Sequence, residues 1–220
     1  LCEGDADAYA APEPLQYVDY AAWQRKRMDS GEFEPQRRYW HEAIAEPPLP
    51  LSLPLDRPRG ALHSFCGSRQ RIALSADTHA QMLAFAARNG ASPFMVMLAA
   101  WNLLLHRWCG QDDIIVGVPV AGRQHPQLER MLGVFVNTLP LRTRLAGADG
   151  FESLLQRVRQ TVIHGLANQD YPFESLVGEI AIERDLCRQP LFDTSFAWQT
   201  AAQKTAPAPA DAAVQVENFD

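Results

Sequence analysis

The chain has 220 residues, of which 47% are hydrophobic and 21% charged, and its formal net charge is −6. These values allow one large domain with a buried core and exclude a disordered chain, which combines low hydrophobicity with high net charge. The negative charge argues against a nucleic-acid partner, which requires a clustered positive surface. The basic clusters at 25–27 and 37–38 lie in helix-like segments and are interpreted as solvated helix faces.

Cysteine and histidine usage excludes several kinds of site. The four cysteines are far apart, so they indicate neither a zinc-type pair nor a dense disulfide framework, and they fit a reducing cytoplasm. The six histidines have no second ligand at metal spacing, which predicts no metal site. The most apolar run, 93–108, is too short to span a bilayer, and no signal peptide opens the chain. We therefore expect a cytoplasmic protein with no membrane partner.

The first third of the chain is predicted to be helical and then extended. Residues 1–16 form a linker or frayed end, rich in alanine, proline and acid. Helices are predicted at 17–28 and after Pro35, with Trp23 and Trp40 as packing residues. Five prolines between positions 47 and 58 predict a stiff, extended strap across a surface. Residues 69–74 alternate polar and apolar side chains, as a strand does.

The rest of the chain alternates between helix and strand patterns. Ser75 and Gly90 bound a predicted helix, and Pro93 and Gly110 bound a second, nearly all-apolar and therefore central one. Strands are predicted at 113–120 and 134–145, helices at 151–167 and from Pro172, and strands at 192–199 and 214–219, separated by a loose loop at 201–213. This order predicts an α/β fold, a two-layer sandwich with a mixed β-sheet packed by helices.

Five stretches are more particular than packing requires. They are Tyr-Val-Asp-Tyr-Ala-Ala-Trp at 17–23, Val-Gly-Val-Pro-Val-Ala-Gly-Arg at 116–123, Leu-Gly-Val-Phe-Val-Asn-Thr-Leu-Pro-Leu-Arg at 132–142, Asn-Gln-Asp-Tyr-Pro-Phe-Glu at 168–174 and Arg-Asp-Leu-Cys-Arg-Gln-Pro-Leu at 184–191. Together, and in this order, they resemble the later signature motifs of nonribosomal peptide synthetase condensation domains. The resemblance covers nearly the whole chain. Cys187 and Gln189 depart from the family, which usually has serine and asparagine there.

The resemblance implies a chloramphenicol-acetyltransferase-like lobe. In this family two such lobes form a V around a tunnel, where the amine of an aminoacyl thioester attacks an acyl or peptidyl thioester and an amide forms. The family's His-His-x-x-x-Asp-Gly motif would precede position 1, and no histidine pair replaces it. We therefore expect residues 17–220 to be the C-terminal lobe, truncated at its C-terminal end. The parent protein is expected to be the enzyme, and this piece alone inactive, with no catalytic residue of its own.

Candidate site residues follow from the same resemblance. Asn137 and Thr138 are predicted to bond substrate or pantetheine amides in the tunnel. The alternative is that they satisfy neighbouring backbone groups, as buried polar side chains usually do. Five further residues are predicted to lie at the lobe interface or to be structural: Arg123, Asp170, Glu174, Arg184 and Asp185.

The resemblance also implies the partners. They are the N-terminal lobe of the same domain, donor and acceptor carrier proteins, and an adjacent adenylation domain. No cofactor is expected to bind directly, and phosphopantetheine arrives on the carriers. Two other functions stay open, namely an epimerisation or heterocyclisation lobe and a non-catalytic carrier-protein-binding module. A sheet edge left unpaired at the end of the chain would invite association.

Overall fold

The structure is a computed structural model that describes residues 15–60, 66–145, 147, 150–180 and 187–199. Within these ranges seven helices and two strands follow one another. In chain order they are α1 (Tyr17–Asp29), α2 (Glu34–Ala43), α3 (Ala76–Arg88), α4 (Pro93–Cys109), β1 (Asp113–Val120), α5 (Pro126–Glu129), β2 (Asn137–Arg144), α6 (Phe151–Ala167) and α7 (Phe173–Glu179). The predicted helices and the strand at 113–120 are confirmed, and the short helix α5 is an addition.

The two strands form an antiparallel ribbon, with a register that runs from Asp113 opposite Arg144 to Val120 opposite Asn137. Ser195 adds a parallel bridge to Gly117 on the other edge of β1. The sheet is therefore mixed, as predicted. Residues 114–118 are all buried, which makes β1 the central strand.

One face of the ribbon carries the hydrophobic core. Because side chains alternate along a strand, Val116 and Val118 share this face with Leu139 and Leu141 of the paired strand. Helix α6 packs there at close range, since a Cβ on Gly165 would lie 2.6 Å from a Leu141 methyl carbon. Helix α4 packs on β1, α3 and α6, and so occupies the central position that its apolar sequence predicts.

Helix α4 has well-defined ends. The Ser92 hydroxyl accepts the backbone N–H of Met95, and Pro93 occupies the first turn. Gly110 ends the helix in the left-handed region at φ 66°, where glycine carries no Cβ penalty. No described helix is long and apolar enough to cross a membrane.

Three strand predictions differ from the structure. Residues 69–74 are exposed and form no strand, because none of the described residues pairs with them and alternation alone does not make a strand. The segment 192–199 is a strand only at the Ser195 bridge, where the Gly117 N–H donates to the Thr194 carbonyl at 3.0 Å. Strand β2 begins at Asn137 rather than at position 134. The strand predicted at 214–219 lies outside the described residues.

The proline-rich strap at 47–60 is extended, and side chains from the core hold it in place. Asp193, whose side chain is 5% exposed, accepts the Leu51 N–H at 2.8 Å and pairs with Arg188 at 2.8 Å. Gln111 accepts the Ser52 N–H at 2.8 Å. The strap is therefore fixed by the buried Asp193 carboxylate and by Gln111, as well as by proline stiffness.

Candidate functional site

Four of the five motifs meet at one end of the ribbon, where β1 ends and β2 begins. We call this region the motif junction and define it as residues 17–23, 120–123, 132–138 and 168–173. Strand pairing brings Val120 opposite Asn137, and the 168–173 segment connects α6 to α7 beside them. Residues separated by more than a hundred positions in sequence thus form one site.

Asn137 is the centre of the motif junction. Its side-chain amide nitrogen donates to the carbonyls of Gln169 and Tyr171, both at 2.8 Å. Its side-chain oxygen accepts the N–H of Thr138 at 2.9 Å and of Phe173 at 3.0 Å. An asparagine amide has two donors and two acceptor positions, so these four bonds use its full capacity. They support the structural alternative for Asn137, while its predicted contact with substrate stays a prediction.

Other side chains complete the hydrogen bonding of the 168–173 segment, which has little regular structure of its own. From α2, Trp40 donates its indole N–H to the Asn168 carbonyl at 2.8 Å, and the Gln36 side chain accepts the Tyr171 N–H at 2.9 Å. The Asp170 carboxylate accepts from Gln124 at 2.6 Å. The backbone of this segment is therefore held largely by side chains.

Thr138 lies on the opposite face of the ribbon from the core. It shares that face with Gly117 and Pro140, and the Phe192 ring packs so closely on Gly117 that a Cβ there would lie 2.5 Å from it. The Thr138 hydroxyl is half-buried and makes no hydrogen bond with the part of the chain that the structure describes. It has the free bonding capacity that Asn137 lacks.

Arg123 orders the loop that leads into β2. Its guanidinium donates to the carbonyls of Leu128, Met131 at 2.8 Å and Gly133 at 3.2 Å, and lies 4.2 Å from the centre of the Phe135 ring. These contacts give Arg123 a structural role in the 128–135 loop. Its location at a lobe interface stays a prediction.

Close backbone approach explains the glycine that precedes Arg123. Gly122 has φ 65°, and a Cβ there would lie 1.9 Å from the Phe135 carbonyl oxygen. Only glycine fits this conformation and this space.

Helix α1 docks on the same loop through aromatic edges. The Tyr17 hydroxyl donates to the Val134 carbonyl at 2.9 Å, and the rings of Tyr17 and Tyr20 meet Phe135 edge-on at 5.2 and 4.7 Å. No residue of α1 is buried. Trp23, predicted to pack, is half exposed beneath the Arg27 guanidinium. The prediction that Trp40 packs in the core is confirmed.

The motif junction itself carries an exposed apolar edge. Leu132, Val134 and Val136 are 92%, 75% and 60% exposed, and Val18 on the neighbouring helix is 70% exposed. Single exposed apolar residues are normal on a protein surface, and a group of them is a candidate interaction surface. We call Val18, Leu132, Val134 and Val136 the apolar edge.

A polar cluster around Glu179 contacts the 168–173 segment through Tyr171. The Glu179 carboxylate accepts from the Tyr171 hydroxyl at 2.7 Å and from Arg37 Nε at 2.8 Å, and lies 2.6 Å from His41 Nε2. Burial acts to raise the pKa of Glu179, but the hydrogen bonds from His41, Tyr171 and Arg37 outweigh it and hold that pKa below its ordinary value. Burial first, and then the bond to Glu179, raises the pKa of Tyr171 to about 12.

The sequence does not reveal this cluster. The basic positions 37–38 are predicted to lie on a solvated helix face, and the Arg37 side chain is 42% exposed. Its guanidinium also reaches Glu179, 142 positions away in the sequence. Among the other predicted residues, Glu174 lies in the first turn of α7 and its carboxylate bonds no described residue. Arg184 and Asp185 lie outside the described residues. No group of three metal-ligating side chains occurs in the described ranges.

Comparison with known proteins identifies the family. The sequence profile of the condensation domain matches residues 5–220. The chain is 45% identical over 194 residues to phosphinothricin tripeptide synthetase PhsC of Streptomyces viridochromogenes, and 41% identical over 204 residues to gramicidin S synthase 2 of Brevibacillus brevis. These matches cover 88% and 91% of this chain, but 18% and 5% of the two synthetases.

The fold agrees with the sequence match. The X-domain from teicoplanin biosynthesis is similar with a TM-score of 0.79 and 29% identity, over 84% of this chain and 42% of that one. The same X-domain is also known in complex with OxyB. The chain therefore belongs to the condensation domain family of nonribosomal peptide synthetases, whose general function is amide bond formation. It spans less than half the length of each of these relatives.

Proposed function

We propose that residues 17–220 form the C-terminal lobe of a condensation domain, preceded by a linker at 1–16. The complete domain joins an upstream acyl or peptidyl thioester to a downstream aminoacyl thioester, both held on carrier proteins. This lobe supplies one wall of the tunnel, and the base that orients or deprotonates the attacking amine belongs to the N-terminal lobe. Holding two reactants in register is a large part of lowering such a barrier.

The apolar edge is the single observation that carries the proposal. Leu132, Val134 and Val136 project from a loop that Arg123 and Phe135 hold in place. Val18 lies on α1, which docks on this loop through the Tyr17 hydroxyl, so the surface is preformed. A preformed apolar surface on the motif junction fits a permanent partner. The N-terminal lobe is the partner that the chain's coverage of 42% of the X-domain supports.

Thr138 is the side chain in the motif junction that we assign to substrate. Its hydroxyl has free donor and acceptor capacity on the outer face of the ribbon, which suits an amide of the pantetheine arm or of the growing peptide. Asn137 acts beside it by fixing the Thr138 backbone. The phosphopantetheine arms belong to the carrier proteins, and an adenylation domain is the expected neighbour in the longer protein.

A second function deserves a test because of one comparison. The X-domain, with its TM-score of 0.79, forms a complex with OxyB. A condensation-like lobe can thus belong to a module that recruits a partner protein. This complex is the observation that favours the alternative of a non-catalytic binding module. An epimerisation or heterocyclisation lobe would have the same fold.

Association with a separately produced N-terminal lobe tests the proposal. Mixed at micromolar concentration in sedimentation velocity, the two should form a 1:1 complex, and Val134→Asp should weaken it at least about tenfold, since a charge replaces apolar area at its centre. The matched control is Leu49→Asp, at an 81% exposed position on the strap, which should leave the complex intact. Equal affinity of both variants, or no complex at all, would contradict the assignment of the apolar edge.

A further inference from the structure

Four side chains on one side of α2 connect this helix to the 168–173 segment and to α7. Gln36 accepts the Tyr171 N–H, Trp40 donates to the Asn168 carbonyl, and Arg37 and His41 both reach Glu179. Because positions i and i+4 are neighbours on a helix surface, Gln36 lies beside Trp40 and Arg37 lies beside His41. Gln36 and Trp40 therefore hold the segment directly, while Arg37 and His41 hold Glu179 at the end of α7.

A continuous path of hydrogen bonds leads from this face to the motif junction. The Glu179 carboxylate bonds the Tyr171 hydroxyl, and the Tyr171 carbonyl accepts from Asn137. The Asn137 side-chain oxygen then accepts the N–H groups of Phe173 and Thr138 together. Displacing Tyr171 would thus move the Asn137 side chain, whose oxygen accepts the Thr138 N–H.

We propose that Glu179 is a positioning residue, which together with Arg37 and His41 forms a clasp that sets the place of the 168–173 segment against Asn137 and Thr138. The inference rests on the proposed function, because Thr138 is the side chain assigned there to substrate. Glu179 itself lies behind the segment and touches no substrate. Its action passes through Tyr171, whose ring is 2% exposed and has little freedom to move independently.

The charged groups around the clasp favour an ionised Glu179. Arg37 and His41 face it from α2, with Glu34 bonded to Arg37 at 3.3 Å, and Tyr171 faces it from the segment. One carboxylate that receives three donors is held more firmly than a single neutral pair, since hydrogen bonds to charged groups are the stronger ones. The clasp therefore fixes α7, the segment and α2 at one point.

The test uses ¹⁵N NMR and hydrogen exchange on the chain as it stands, with Glu179→Gln as the variant. The amide signals of Tyr171, Phe173 and Thr138 should shift, and their exchange should accelerate roughly tenfold, because the charge-assisted hydrogen bonds to the Glu179 carboxylate are lost. The matched control is Glu174→Gln on the same helix, which should leave the amides of Tyr171 and Thr138 unchanged; Phe173 is left out of this comparison because it is the neighbouring residue.

A structural role without positioning gives a different result. In that case Glu179→Gln lowers the unfolding midpoint but leaves the three amide signals where they are, and this outcome overturns the proposal. If that variant does not fold, Tyr171→Phe keeps the buried ring, removes the bond to Glu179, and should shift the amides of Phe173 and Thr138 in the same way. No part of this readout depends on amide synthesis, so failure of the clasp and failure of the proposed function are distinguishable.

Discussion

Replacing Asn137 by alanine tests whether this side chain is structural. The substitution removes four hydrogen bonds to backbone groups, two given and two received. Each bond contributes about 0.5–1.5 kcal/mol net, and the half-buried position allows water to replace some of them, so we expect a loss of about 2–4 kcal/mol. Against a total stability of about 5–15 kcal/mol for a typical domain this is a large share.

The assay is urea unfolding followed by tryptophan fluorescence. With a slope of about 2–3 kcal/mol/M, Asn137→Ala should lower the midpoint by about 1 M without changing the slope. The control is Thr138→Ala, which removes a hydroxyl without a described partner and should cost less than about 0.5 kcal/mol. Equal midpoints for the two variants would refute the structural role of Asn137 and would favour the alternative that its side chain bonds the substrate.

Three further predictions address single contacts. Gly122→Ala should destabilise by clearly more than Gly110→Ala in the same urea assay, because both have φ near 65° but only Gly122 faces a backbone oxygen; similar losses would contradict this. Folding raises the pKa of Tyr171 from 10.0 to about 12, so the stability that this tyrosine contributes below pH 10 should be lost as the pH rises towards 12. The free energy of unfolding of Tyr171→Phe should therefore fall less between pH 10 and 12 than that of the unsubstituted chain. An equal fall in both would show that Tyr171 does not contribute. Asp193→Ala should lower the free energy of unfolding by about 2–3 kcal/mol, and Asp56→Ala, on the exposed part of the strap, should lower it by almost nothing; comparable losses would count against the buried Asp193 anchor.

Helices and the central strand are predictable from the sequence because their signals are local. Ser92, Pro93 and Gly110 mark the two ends of α4 within the chain itself. The β-branched run of β1 predicts burial on both faces, and the structure confirms it. The alternation at 69–74 is misleading for a physical reason. A strand exists only with a neighbour, and the sequence does not state whether one is present.

The motif junction is only partly predictable. The motifs resemble a known family and so identify the segments that matter, including Asn137 and Arg123. They do not give partners, because hydrogen bonds such as that from Arg37 to Glu179 join residues 142 positions apart, and only the packing of α2 against α7 brings them together. The exposure of Val134 cannot be predicted from the sequence either, because an apolar residue directly before a strand normally predicts a longer strand.

Formation of an amide by the assembled lobes tests the central claim most directly. The chain is mixed with an N-terminal lobe that carries the His-His-x-x-x-Asp-Gly motif and with loaded donor and acceptor carrier proteins, and the dipeptide is measured by mass spectrometry. We predict product in the mixture of both lobes and none with this chain alone. Product from this chain alone, above the uncatalysed background, would contradict the account that it supplies a wall of the tunnel and not the catalytic base.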